Sequence, residues 1–222
     1  YTNGVPDKHV YSIPQSKLKI IKSWPFIYWI SDAFREKFGE SNLDSLASVK
    51  TGISTGSNEL FTRFWWEVDK EHISSNYQKD GKKWIYFLKG GPYEKWYGNI
   101  FLVLNWKDNG HEIKKHSGST VRNENFYFKE GVSTVKASSK GGDFRYTPKN
   151  TIFADGAPSI FFDKGLKSIW FGLAVLNSPI TGYSVDCLNP TVNTQVGDLQ
   201  RLPFVNPSIS ISNLIGLLAE RN

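Results

Sequence analysis

Residues 87–106 read FLKGGPYEKWYGNIFLVLNW, and the reading of this stretch decides the fold. Apolar, aromatic and β-branched runs around Trp84–Leu88 and Phe101–Trp106 have the length and composition of strands. Between them lies a loop that collects Lys89, Gly90, Gly91, Lys95, Trp96 and Tyr97. Such a loop either packs on the body of the protein or grips something flat and negatively charged. Outward from it, short strands separated by turn residues recur at Val49–Ile53, Trp65–Val68, Phe126–Phe128, Val132–Lys136, Thr151–Ala154 and Ser159–Phe162. The body is therefore expected to be sheet-rich.

The longer helical patterns fall at the two ends and in one internal segment. Residues 16–39 are helical in pattern but interrupted by Pro25, which removes an N–H and clashes in a helix interior, so two segments are expected there. A short capped helix is predicted from Asn42. In GLKSIWFGLAVLNS (165–178), Leu166, Ile169, Trp170, Leu173 and Leu176 recur with a period near 3.6, and SISISNLIGLLAERN (208–222) is amphipathic. These features predict one α+β domain: a linker and helical lead-in over 1–41, a sheet-rich body over 42–205, and an exit helix over 206–222.

Composition narrows the function. With 222 residues and 39% hydrophobic content the chain can bury a substantial core. Lys and Arg outnumber Asp and Glu by 27 to 21, and the resulting +6 charge favours polyanionic partners. A single cysteine, Cys187, cannot form an internal disulfide and reads as a buried thiol. No run of apolar residues is long enough for a membrane span, and the start lacks a signal-peptide pattern, so a cytoplasmic location is expected. The absence of any Met, including at the first position, suggests a piece of a larger protein.

Catalytic patterns are weak. KTGISTGSNE (50–59) has the glycines and hydroxyls of a phosphate-binding turn but lacks the Gly-Lys-Ser/Thr ending of a P-loop. Its hydroxyls and backbone N–H groups could meet the phosphates of a polymer. His9, His72, His111 and His116 have no second ligand at zinc-site spacing. Asp108, Glu112 and Lys114 in DNGHEIKKH resemble the acid, acid and lysine set of metal-dependent nucleases, yet their short spacing reads better as a charged turn entering a helix. No catalytic or metal-ligating residue is assigned.

Nucleic acid fits the remaining residues. Lysine and arginine neutralise phosphates, glycine admits close backbone approach, and Arg or Asn can read base edges. Four clusters qualify: residues 52–66, 88–99, 118–126 and 138–150. Trp65, Trp66, Trp84 and Trp106, in predicted strands, are expected in the core.

GISTGSNELFTRFWWEV, KGGPYEKWYGN, VLNWKDNGHEIK, RNENFYFKEGV, SIFF, LAVLNS and LNPTVNTQVGDLQRLP, taken in order over residues 50–203, closely resemble one family. It is the C-terminal target-recognition region of adenine-specific DNA methyltransferases, in the group of type IIG restriction-modification enzymes and BREX phage-exclusion methyltransferases. The resemblance implies a sheet-rich domain that presents loops to double-stranded DNA. The family's catalytic Asn-Pro-Pro-Tyr/Phe is missing, since Asn189-Pro190-Thr191 lacks the second proline and the aromatic, and so is its glycine motif for the cofactor. It follows that the chain needs no cofactor of its own. S-adenosylmethionine is expected for the parent enzyme, whose methyltransferase domain would lie upstream.

On this reading Ser54, Thr55 and Gly56 form a phosphate-facing turn, and Lys89 and Lys95 meet phosphates. Gly90 and Gly91 permit close approach, and Trp96 or Tyr97 orders the loop. Asn58, Arg63, Arg122 and Arg145 are the candidates for reading bases. Two other classes stay open at this point: a metal-dependent nuclease using Asp108, Glu112 and Lys114, and a protein-interaction module whose aromatics face a partner.

Overall fold

The computed structural model describes residues 11–137, 142–165, 168–189, 191, 193–205 and 207–221. The first ten residues of the predicted linker, residues 138–141 of the fourth cluster, and Leu166 of the predicted helical face lie outside them.

The fold is α+β. The lead-in holds α1 (Gln15–Leu18) and α2 (Asp32–Lys37), with Pro25 in the non-helical segment between them, as its missing N–H requires. Ser31 caps α2 by accepting from the Phe34 N–H. Asn42 does the same for α3 (Leu43–Leu46), which runs into β1 (Ser48–Lys50). Next come α4 (Asn58–Phe61), β2 (Thr62–Phe64), α5 (Tyr77–Asp80), β3 (Trp84–Leu88), β4 (Leu102–Asn105) and α6 (Lys107–Lys115). Strands β5 (Gly131–Ser133), β6 (Arg145–Thr147), β7 (Thr151–Phe153) and β8 (Ser159–Phe161) follow. Helices α7 (Ile169–Leu176), α8 (Pro179–Leu188), α9 (Val196–Gln200) and α10 (Ile209–Glu220) complete the chain.

The strands form two four-stranded sheets. The first has the order β1-β8-β5-β6 and is antiparallel throughout; the second has the order β2-β4-β3-β7, with only β3 and β7 parallel. Strand β8 explains why both exist. All three of its residues are buried, and because successive strand side chains face opposite ways, Ile160 joins one core while Phe161 joins the other. The Ile160 core lies against the helices and takes in Leu43, Val49, Val132, Phe171, Leu173 and Leu199. The Phe161 core contains Ile53, Ile85, Phe87, Leu104, Ile152 and Phe153.

Several expected strands are not strands. Residues 65–67 form a 3₁₀ turn, fixed by the Glu67 carboxylate accepting from the Phe64 N–H at 2.7 Å. Residues 124–126 form another, because Asn123 and Phe128 on either side hold positive φ angles of 54° and 64° that end any extended run. Phe126, Tyr127 and Phe128 nevertheless pack on the second core, with Phe126 5.0 Å from Phe161 and Phe128 stacked on Tyr77 at 5.3 Å. Of the four tryptophans expected inside, only Trp106 is buried; Trp65 and Trp84 are half-buried and Trp66 is exposed. Strands β2 and β6 and helices α8 and α9 escape the sequence pattern. Helix α8 carries a legible start, since Ser178 accepts from the Thr181 N–H with Pro179 at the first helical position. Cys187 is buried on that helix, and desolvation raises its thiol pKa. No helix among the described residues is long and apolar enough to cross a membrane.

Because Ile160 is fully buried at the centre of the first sheet, between Val49 and Val132, Ile160→Ala should cost about 2–5 kcal/mol of stability. Trp66→Ala, at an exposed ring stacked on Phe64, should cost less, about 0.5–1.5 kcal/mol. Denaturant unfolding of the two variants gives the comparison.

Candidate functional site

The turn at 51–58 is held rigidly. Ser54 exchanges backbone hydrogen bonds of 3.0 and 2.9 Å with Thr120, and the Ser119 hydroxyl donates to the Thr55 carbonyl at 2.7 Å. Gly56, at φ 67°, lies so near the 118–120 backbone that an added Cβ would sit 2.4 Å from the Gly118 carbonyl. Only glycine fits there. The Thr55 hydroxyl donates to Asn58 Oδ1 at 2.7 Å, which orients the exposed Asn58 carboxamide.

Strand β3 delivers Lys89 to the same place from a distant part of the sequence. Ser54, Thr55, Gly56, Asn58 and Lys89 line one cavity of about 250 Å³, together with Asp155. Lys89 is half-buried; desolvation lowers its pKa, and the charge of Asp155 acts against that shift. Asp155 is the functional candidate that sequence reasoning missed. Its signal was the Asp155-Gly156 pair that follows a strand and marks a turn beside the lysine loop.

Lys89 also borders a second depression of about 300 Å³, shared with Gly90, Gly91 and Arg145. A third, of about 600 Å³, contains Tyr97 with Trp65, Trp66, Tyr86, Phe101 and Lys149.

The remaining expectations fare differently. Lys95 does not project outward, because its ammonium donates to the Asn177 carbonyl at 3.2 Å, where the C-terminal end of α7 attracts a cation. Trp96, at φ 72°, orders the loop through its backbone: its N–H donates to Phe144 at 2.9 Å and its carbonyl accepts from Tyr146 at 2.8 Å, while its ring packs on the first core. Tyr97 next to it is exposed. Arg63 is exposed on β2 with its guanidinium donating to the Thr62 carbonyl at 2.6 Å, and Arg122 is exposed before the 3₁₀ turn at 124–126; neither lines the three depressions.

Arg145 is a correction. Its side chain is buried and pairs with the fully buried Asp143 at 2.8 Å, while also donating to the Pro92 carbonyl at 3.1 Å. Asp143 in turn accepts from the Val135 N–H at 3.1 Å, the Thr134 hydroxyl at 3.2 Å and the Glu94 N–H at 3.4 Å. A guanidinium committed in this way holds the 90–98 loop and is not free to read a base.

Two members of the alternative nuclease set, Glu112 and Lys114, are engaged by residues outside that set. Asp108, Asn109 and Gly110 have left-handed φ angles of 51°, 56° and 72°, forming a turn over the buried Trp106 that enters the helix over 111–115. Glu112 accepts from Asn105 Nδ2 at 2.8 Å, and Lys114 pairs with Glu124 at 2.7 Å. Among the described residues no group of three His, Cys, Asp or Glu is placed to hold a metal ion.

The Asp143–Arg145 pair generates a test. Asp143→Asn leaves the buried guanidinium without its counter-charge and should destabilise the chain by about 3–5 kcal/mol. The 90–98 loop, tied through Pro92 and Glu94, should exchange its amide hydrogens faster than the sheets, as measured by mass spectrometry.

No protein-family profile matches the chain. It is 32% identical over 192 residues to the adenine-specific methyltransferase BrxX of Escherichia coli O9:H4 (strain HS), an alignment covering 86% of this chain and 16% of that protein. It is 31% identical over 209 residues to the adenine-specific methyltransferase PglX of Lacticaseibacillus casei (strain Zhang), covering 88% of this chain and 17% of that protein. The chain thus spans about one sixth of the length of these relatives. Over most of its own length it is a homologue of proteins named adenine-specific methyltransferases.

Proposed function

We propose that this chain is the DNA target-recognition part of a longer adenine-specific DNA methyltransferase of the type IIG or BREX group, binding double-stranded DNA and directing methyl transfer to a chosen site. The observation that carries the reading is the polar cavity where the 54–58 turn meets Lys89. Hydroxyls, a carboxamide, a cation and a carboxylate converge there from separate loops, on a protein of net charge +6 whose homologues bear methyltransferase names. Loops carried by a rigid sheet are the usual place for recognition residues.

The roles divide by chemistry. Lys89 supplies a positive charge for phosphate or for a purine acceptor, and Asp155 is an acceptor suited to an amino group on a base edge. Asn58, its oxygen engaged by Thr55, offers its amide hydrogens to N7 or O6 acceptors. In this assignment residues 42–205 form the recognition body, residues 1–41 lead into it and residues 206–222 lead away. The methyltransferase domain and its S-adenosylmethionine belong to the rest of the polypeptide.

Affinity for duplex DNA should therefore fall steeply as salt rises, because bound lysines release counterions from phosphates. Lys89→Ala should reduce that salt slope by about one, whereas Lys95→Ala, already bonded to Asn177, should leave it unchanged. In the longer enzyme Asn58→Ala should cost about 1–3 kcal/mol of discrimination and relax one position of the methylated motif. Binding curves at several salt concentrations and sequencing of methylated sites supply both measurements. Salt-independent binding, or an unchanged motif in a folded Asn58→Ala enzyme, would overturn the assignment.

A further inference from the structure

The three depressions are contiguous. Phe87 and Lys89 belong to the first and second, and Asn99, Ile100 and Phe101 to the second and third. Through these shared residues the polar cavity neighbours the second depression and the second neighbours the aromatic cleft, and neither the second nor the third is lined by an Asp or Glu among the described residues.

The aromatic end has the makeup of a stacking platform. Phe64 and Trp66 lie nearly parallel, 4.7 Å apart at 9°, yet both rings remain exposed. Trp65 meets Trp66 edge-on at 5.5 Å, Phe101 meets Trp66 edge-on at 6.4 Å, and Tyr97 and Phe101 are exposed and line the same cleft. Leaving such rings in water forfeits the stabilisation that burial would give, and contiguous exposed aromatics mark binding surfaces. Cations attend them: Lys70 Nζ is 5.6 Å from the Trp65 ring, and the exposed Lys149, which pairs with Glu130 at 3.9 Å, lines the cleft. The cleft's volume of about 600 Å³ suits a small planar group.

Rings to stack on, lysines around them and no carboxylate on the walls match a nucleobase attached to phosphates. A paired base cannot use such a platform, because both its faces are already stacked within the duplex; an unpaired one can. We propose that the aromatic cleft holds an unpaired nucleobase of a DNA strand whose backbone passes Lys89. This inference rests on the DNA-recognition reading and deepens it by naming a second subsite.

The test compares three DNAs with the 222-residue chain: a fully paired duplex, the same duplex with a three-nucleotide unpaired bubble containing 2-aminopurine, and the bubble strand alone. One stacked base should make the bubble DNA bind about tenfold more tightly than the duplex, and its 2-aminopurine fluorescence should be quenched. Trp66→Ala combined with Tyr97→Ala should remove both the preference and the quenching, so that bubble and duplex bind the variant alike. Should the pair of substitutions lower the unfolding midpoint, Tyr97→Ala alone, at an exposed residue, should still reduce the preference at least threefold. Equal binding of bubble and duplex, or a preference that survives both variants, overturns the inference and leaves duplex recognition standing. Failure to bind any of the three DNAs overturns the recognition reading and the cleft assignment together.

Discussion

Strand β8 is buried on both sides, and the architecture follows from that constraint. A three-residue strand with water on neither face must place apolar side chains in both directions, and Ile160 and Phe161 do so. Ile160 requires a partner layer, supplied by α3, α7 and α9 with the lead-in residues Ile21 and Ile27. Phe161 requires another, supplied by the second sheet and by Phe126, 5.0 Å away. Two small sheets then share buried surface through one strand.

The loops that make up the candidate site are rigid for a different reason. Asp143, fully buried, gathers Arg145, Thr134 and the backbones of Val135 and Glu94 around one carboxylate. A buried charge is tolerated only when paired and hydrogen-bonded, and meeting that demand draws the 90–98 loop onto the first sheet. Lys95 adds a second tie at the end of α7. Lys89, Gly90 and Gly91 are left at the rim, beside the 54–58 turn, which is itself fixed by Thr120 and Ser119. The polar cavity is thus a product of interactions made outside it.

Much of this order was legible in the residues. Strand β3 at Trp84–Leu88 and β4 within Phe101–Trp106 are legible, because long apolar runs bounded by glycine and charged turns fit few other structures. The break at Pro25 and the cap at Asn42 were legible because proline and N-cap residues act locally. The turn at Asp108–Gly110 entering a helix was likewise visible in the spacing. Three-residue strands such as β2 and β6 were not, since their identity comes from the partner they pair with and not from their own pattern.

By itself the sequence determined the α+β class, the basic charge, the buried cysteine and the clustering of glycine, lysine and aromatic residues into a few loops. These depend on chemistry carried by single residues or short windows. Tertiary structure decided which of those loops meet. It set Lys89 beside Asn58 and Asp155, turned Lys95 and Arg145 inward, and left Trp66 exposed where a core position was expected. An arginine in a loop looks the same on paper whether it faces solvent or a buried carboxylate, because the difference lies in a partner's position in space.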